Sequence, residues 1–153
     1  MFLSDIFSMK TKNLIICGKA NRDKSVAEIK PKNSELWLLG TDPREGADRY
    51  FELHGITVNH ENVTTELPKE VYELGLPVNN SICALLVFAF IQGYKNITVL
   101  GAPMDATPEY IEARPALAYV VGWLNATGVN VEWDVIPATL NYGKKKEKDE
   151  EKS

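Results

Sequence analysis

The stretch "NNSICALLVFAFIQGY", residues 79–94, largely decides the fold. Ten consecutive apolar residues, 82–91, follow the polar triplet Asn79, Asn80 and Ser81. A helix needs about 20 residues to cross a bilayer, so this run predicts a buried helix and no membrane span. Asn and Ser before it are typical helix caps, because they accept hydrogen bonds from the free amides of the first turn. One cap suffices, so the triplet either only caps the helix or also faces a ligand.

Short apolar runs and helical patterns alternate along the rest of the chain. Continuous apolar strands separated by helices are typical of a parallel sheet that is covered on both faces. The predicted fold class is therefore α/β, a three-layer domain with a mostly parallel sheet of about five strands. The predicted strands are 13–17, 35–39, 50–53, 96–100 and 129–133, and the predicted helices are 25–29, 68–74, 81–92 and 115–126.

Length and composition predict one domain. A chain of 153 residues that is 44% hydrophobic can bury one core, and we assign it to a single α/β domain over 1–142. Residues 143–153, "GKKKEKDEEKS", have no apolar side chain and are predicted to be a disordered tail. The net charge of −4 argues against binding to duplex nucleic acid, which needs a concentrated basic face.

The cysteines and the first residues bear on metal binding and location. Cys17 and Cys83 lie in apolar segments without the spacing of a metal site, so we expect reduced core thiols, no metal and no cofactor. The opening "MFLSDIFSMK" lacks the pattern of a secretory signal, which predicts a cytoplasmic protein.

The loop after the first strand is a candidate anion site. In a parallel sheet, ligands bind beyond the carboxyl ends of the strands. Here the first strand is followed by "GKANRDKS", residues 18–25, where a glycine lets the backbone approach a ligand and basic side chains favour a phosphate. An ordinary exposed turn is the alternative. The candidate ligand-binding residues of this loop are Gly18, Lys19, Asn21, Arg22, Lys24 and Ser25.

Three longer segments carry a family resemblance. They are "ELWLLGTDPREGADRYFELHG", "VNNSICALLVFAFIQGYKNITVLGAPMD" and "EYIEARPALAYVVGWLNATGVNVE", and they extend from residue 35 to residue 132. This order of motifs resembles a group of uncharacterised bacteriophage proteins. That group is itself similar to the Rossmann-like, nucleotide-binding half of bacterial sialyltransferases, which use CMP-activated sugars.

The resemblance implies which loops hold a nucleotide. By position it adds Thr41 or Asp42, after the second strand, to Gly18 and the polar triplet. The phage loop "GxDM" appears here as "GAPMD", which places Met104 and Asp105 beside the ligand, and the "EYxxxRP" motif supplies Tyr110 and Arg114. The phosphate loop departs from the family pattern, and the chain ends soon after the last predicted strand. Both differences favour binding over catalysis.

His54 is the best candidate for acid–base chemistry. It lies in "FELHG", where strand alternation places it on the same face as Glu52, so that it serves as a general base, pairs with Glu52 or contacts the edge of a nucleobase. We assign no catalytic residue. Tyr50, Phe51 and Tyr110 are candidates for stacking on a base.

Two functions from different classes follow. The first is a viral-type binding protein that sequesters a phosphate-bearing or cyclic oligonucleotide signal of bacterial immunity, as in CBASS or Thoeris, without cleaving it. The second is a glycosyl- or nucleotidyltransferase that uses a nucleotide-activated sugar. Either would act on a small-molecule nucleotide in the cytoplasm of an infected bacterial host, away from membranes. A homodimer or higher oligomer is expected if the apolar residues near Gly122 pair two copies.

Overall fold

A six-stranded parallel sheet forms the centre of the molecule in the computed structural model. The structure describes residues 13–18, 29–40, 46–56, 58, 63–102, 108–134, 136–137 and 140, with the backbone alone at 108–111. The strands are β1 (Asn13–Cys17), β2 (Ser34–Leu39), β3 (Arg49–Phe51), β4 (Val63–Thr64), β5 (Asn96–Leu100) and β6 (Asn130–Trp133).

Strand order fixes where the loops converge. The order is β4-β3-β2-β1-β5-β6. Strands β2, β3 and β4 therefore lie in sequence order on one side of β1, and β5 and β6 lie on its other side. Because every pair is parallel, all six carboxyl ends lie at one margin of the sheet, which we call the carboxyl edge. The point where the strand order reverses lies between β1 and β5, and such points are frequent ligand sites.

The described helices cover one face of the sheet. They are α1 (Glu70–Glu73), α2 (Ser81–Ile91) and α3 (Pro108–Ala126). Side chains of α2 and α3 form one core with Leu14, Trp37 and Phe51. Alternate residues, including Ile15 and Leu36, lie on the opposite face and pack with Ile29, which is helical. Burial on both faces explains why the strands are continuous apolar runs.

The predicted α/β fold with a parallel sheet is confirmed, with six strands instead of about five. The additional strand, β4, has two residues, which is too short to show a periodic sequence pattern. The predicted bounds of β1 and β5 agree with the structure, whereas β3 begins one residue earlier and ends at Phe51.

The largest difference among the helices concerns α3, which begins at Pro108 and not at Pro115. Proline is favoured in the first turn of a helix and costs a hydrogen bond inside it, so the sequence pattern favours a start at Pro115. The helix nevertheless continues through this exposed proline. The predicted helix at 25–29, apart from Ile29, and the predicted tail at 143–153 lie outside the described residues.

Candidate functional site

A buried carboxylate fixes the turn that follows β3. Glu52 is 1% exposed, and its amide continues the pairing with β4 by donating to Thr64 O at 3.0 Å. Its carboxylate accepts hydrogen bonds from the amides of Ile56, at 2.8 Å, and of His54, at 3.2 Å. Gly55, with φ of 78°, allows the chain to turn back toward the carboxylate. Glu52 thus holds the backbone of His54 in place.

Glu52 and His54 do not lie on one face of a strand, which corrects the sequence-based prediction. The strand ends at Phe51, before either residue, so strand alternation no longer applies to them. Glu52 is buried, and His54 is exposed.

Asn80 caps helix α2. Its Oδ1 accepts from the amide of Cys83 at 2.9 Å, while its backbone oxygen accepts from the amide of Ala84 at 3.1 Å. Its Nδ2 donates to Asn79 Oδ1 at 2.9 Å and lies 3.1 Å from Cys83 Sγ. Burial raises the pKa of the Cys83 thiol to about 11, so this thiol stays protonated at neutral pH. The cap is therefore one residue of the triplet, as predicted, and Ser81 is left for another contact.

That contact joins Ser81 to His54. Ser81 Oγ lies 3.0 Å from His54 Nε2, although the two residues are 27 positions apart in sequence. The pair lies at the carboxyl edge, where the turn after β3 meets the first turn of α2. His54 is exposed and Ser81 is half-buried, so a ligand can reach both.

An open cavity of about 580 Å³ is lined in part by Leu53 and Gly55, the chain neighbours of His54, although neither His54 nor Ser81 lines it. It lies beyond the carboxyl ends of β3 and β4 and falls within the usual size range of ligand sites. The polar and aromatic residues of this cavity were not among the predicted site residues. The reason is that β4, with two residues, is too short to show in the sequence that a loop follows it at the carboxyl edge. The lining residues are Leu53, Gly55, Thr65, Glu66, Leu67 and Tyr72.

Gly18 lies at the reversal point of the sheet, in close contact with the loop after β5. Its amide donates to Leu100 O at 2.8 Å, and a Cβ at this position would lie 2.7 Å from Gly101 O. Asp134, at the end of β6, accepts from the amide of Gly101 at 3.1 Å. Packing between loops thus requires a glycine here, independently of any ligand. Asp134 was not predicted, although an acid directly after a strand was a usable signal.

The structure brings together only some of the predicted site residues. His54, Asn79, Asn80 and Ser81 are brought together, whereas Gly18 contacts the loop after β5. Arg114, which the predicted helix start at Pro115 leaves outside the helix, lies half-buried within α3, because that helix starts earlier than expected. Tyr110 is described only as part of the α3 backbone. The candidates outside the described residues are Lys19, Asn21, Arg22, Lys24, Ser25, Thr41, Asp42, Met104 and Asp105.

Metal binding and membrane insertion both lack support in the part of the chain that the structure describes. Within the described ranges, no three His, Cys, Asp or Glu side chains are grouped so that they could hold a metal ion. Among the described helices, none combines the length and apolar character needed to cross a bilayer.

No protein family, curated protein or solved structure matches this chain. Its function has to be inferred from the chemistry of the carboxyl edge.

Proposed function

We propose that this protein binds a phosphate-bearing nucleotide at the carboxyl edge of its sheet and holds it without cleaving it. The observation that carries the proposal is the 3.0 Å contact between Ser81 Oγ and His54 Nε2, beside the open cavity. In this contact one group donates to the other, and either tautomer of His54 leaves one donor, the Ser81 hydroxyl or the imidazole Nδ1–H, for a phosphate oxygen. The positive end of the α2 dipole lies at the same place and favours an anion.

The surroundings of His54 favour binding over cleavage. In hydrolytic triads, a carboxylate accepts a hydrogen bond from the imidazole and orients it for proton transfer. The nearest acid in the sequence, Glu52, instead binds the backbone amides of His54 and Ile56. The protonated thiol of Cys83 is a poor nucleophile. A nucleotide held here would be released unchanged.

The resemblance to phage proteins extends this proposal to a biological role. A rigid site that returns its ligand intact suits a protein that lowers the free concentration of a signalling nucleotide. We propose that the ligand is such a signal, either a mononucleotide derivative or a cyclic oligonucleotide of bacterial immunity.

The test measures both binding and the fate of the ligand. Thermal shift against mono-, di- and cyclic oligonucleotides should identify a ligand, since one at 100 times its Kd adds about 2.7 kcal/mol of stability. Ser81→Ala should weaken that binding about tenfold and leave the ligand-free melting temperature within about 2 °C, because Asn80 remains as the cap. Asn125→Ala, at an exposed position near the end of α3, is the matched control. Failure of every phosphate-bearing ligand to bind, or equal affinity in Ser81→Ala, would contradict the proposal.

A second function is favoured by the same distance. A serine hydroxyl within about 3 Å of an imidazole is the arrangement of an activated nucleophile and its base, as a nucleotidyl- or glycosyltransferase could use. The chemical state of the nucleotide recovered after incubation with the protein distinguishes sequestration from transfer. Intact nucleotide supports sequestration, whereas product that is lost in both Ser81→Ala and His54→Ala establishes the transferase.

A further inference from the structure

The cavity beside His54 has the components of a subsite for a flat, nitrogen-bearing ring. It opens beyond the ends of β3 and β4, and residues on both sides of His54, namely Leu53 and Gly55, form part of its wall. Through His54, the Ser81–His54 pair is thus adjacent to this wall along the chain, although neither side chain is part of the lining. A ligand with its phosphate at that pair would extend the rest of the molecule over the cavity.

Tyr72 supplies an aromatic surface at this place. Its side chain is 55% exposed, although neighbouring Val71 is fully buried and anchors helix α1 in the core. Two further hydrogen bonds tighten the turn, from the amide of Val71 to Pro68 O and from that of Tyr72 to Lys69 O. The backbone that carries the ring is thus fixed before any ligand arrives. Exposed aromatic rings on rigid backbones are the usual stacking platforms for nucleobases.

Glu66 gives the cavity a preference among bases. It directly precedes Leu67, which is 8% exposed and fixes this segment against the core. An ionised carboxylate only accepts hydrogen bonds, so it selects a ring edge that donates. Adenine, cytosine and guanine each carry an exocyclic amino group that donates, whereas uracil has none. Thr65, which adjoins Glu66, can donate or accept and does not change this preference.

We infer that the cavity is the base subsite of the nucleotide site, with Tyr72 stacking on the base and Glu66 accepting from its exocyclic amino group. The inference rests on the proposed function for the position of the phosphate. It adds a ligand class, since adenine, cytosine and guanine nucleotides should bind more tightly than uracil nucleotides.

The test uses the full chain and six probes: AMP, CMP, GMP, UMP, adenosine and ribose 5-phosphate, with binding measured by calorimetry. Tyr72→Ala should weaken AMP about tenfold or more and leave ribose 5-phosphate unchanged. Tyr119→Ala is the matched control, because this tyrosine is 58% exposed on α3 and should have no effect. Glu66→Gln should remove most of the preference for AMP over UMP, whereas Glu132→Gln, on β6, should not.

Different results overturn the two proposals. If ribose 5-phosphate binds in a Ser81-dependent way but Tyr72→Ala leaves AMP affinity unchanged, the base subsite is wrong and the phosphate site stands. If adenosine binds in a Tyr72-dependent way but ribose 5-phosphate does not bind, the base subsite stands and the phosphate site is wrong. Equal losses for AMP and ribose 5-phosphate in Tyr72→Ala also overturn the base subsite, as does absence of binding by every probe.

Discussion

Glu52 is the residue whose role differs most from its sequence pattern. Strand alternation predicts that it shares a face with His54, yet the chain leaves the strand after Phe51 and the carboxylate turns inward. A pattern of side chains cannot show this, because the partners of Glu52 are backbone amides that every residue carries. The contact between His54 and Ser81 depends on the same turn and was equally hidden.

Glu52→Ala should destabilise the fold by about 3 kcal/mol. The amides of His54 and Ile56 would lose their carboxylate acceptor, and hydrogen bonds to a charged group are worth roughly 1.5 to 3 kcal/mol. The substitution should also weaken phosphate binding, since His54 loses its fixed backbone. Urea unfolding and calorimetry measure the two effects. Glu66→Ala, which removes an exposed carboxylate, should change the unfolding free energy by less than about 0.5 kcal/mol. Equal stability of both variants would mean that the amides do not need Glu52.

Cys83 should make stability fall at alkaline pH. The unfolded chain releases this thiol proton near the ordinary pKa of 9.0, whereas burial raises the folded pKa to about 11. Between these values the unfolded state binds fewer protons, so the free energy of unfolding falls as pH rises, by about 2 to 3 kcal/mol in total. Burial and the nearby Glu35 also raise the pKa of Tyr94, which acts in the same direction.

The difference between wild type and Cys83→Ser isolates the thiol, because serine does not ionise in this range. Urea unfolding from pH 8 to pH 11 should show a steeper decline for wild type. Parallel curves for the two proteins would show that Cys83 is accessible to water when folded.

Among the elements, α2 was predicted well and α3 poorly. The start of α2 is marked by polar caps and its body by an unbroken apolar run, and the two signals agree. For α3, the signals conflict: a proline at 115 marks a start, yet packing of buried residues such as Ala113 and Leu117 holds the helix together on both sides of it. Strand β4 gives no signal, since two residues have no period.

The cap of α2 can be separated from its neighbours. Asn80→Ala should destabilise the protein by about 1 kcal/mol, because the amide of Cys83 loses its side-chain acceptor. Asn79→Ala should cost less than about 0.5 kcal/mol, because Asn79 is exposed and water can replace its contact with Asn80. Thermal unfolding of both variants without ligand gives the comparison. If Asn79→Ala lost more stability than Asn80→Ala, Asn80 would not be the residue that caps α2.

At the scale of the whole molecule, the sheet separates the predicted site into two places. The reversal of strand order lies between β1 and β5, where Gly18 meets Gly101, while His54 and Ser81 lie beyond β3. The sequence indicates that the loops share one edge, because parallel strands require it. It does not indicate which loops touch, since strand order depends on pairing between segments far apart in the chain.

Gly18→Ala distinguishes a packing glycine from one that lets a ligand approach the backbone. Its Cβ would lie 2.7 Å from Gly101 O and 3.2 Å from the Cβ of Ala102, so we expect a loss of about 1 to 3 kcal/mol in urea unfolding. Gly122→Ala is the matched control, because nothing lies within 4 Å of a Cβ there and alanine should stabilise α3 by up to about 1 kcal/mol. If Gly18→Ala instead keeps its stability and loses nucleotide affinity, the loop after β1 contacts the ligand and the site extends from β3 to the reversal point.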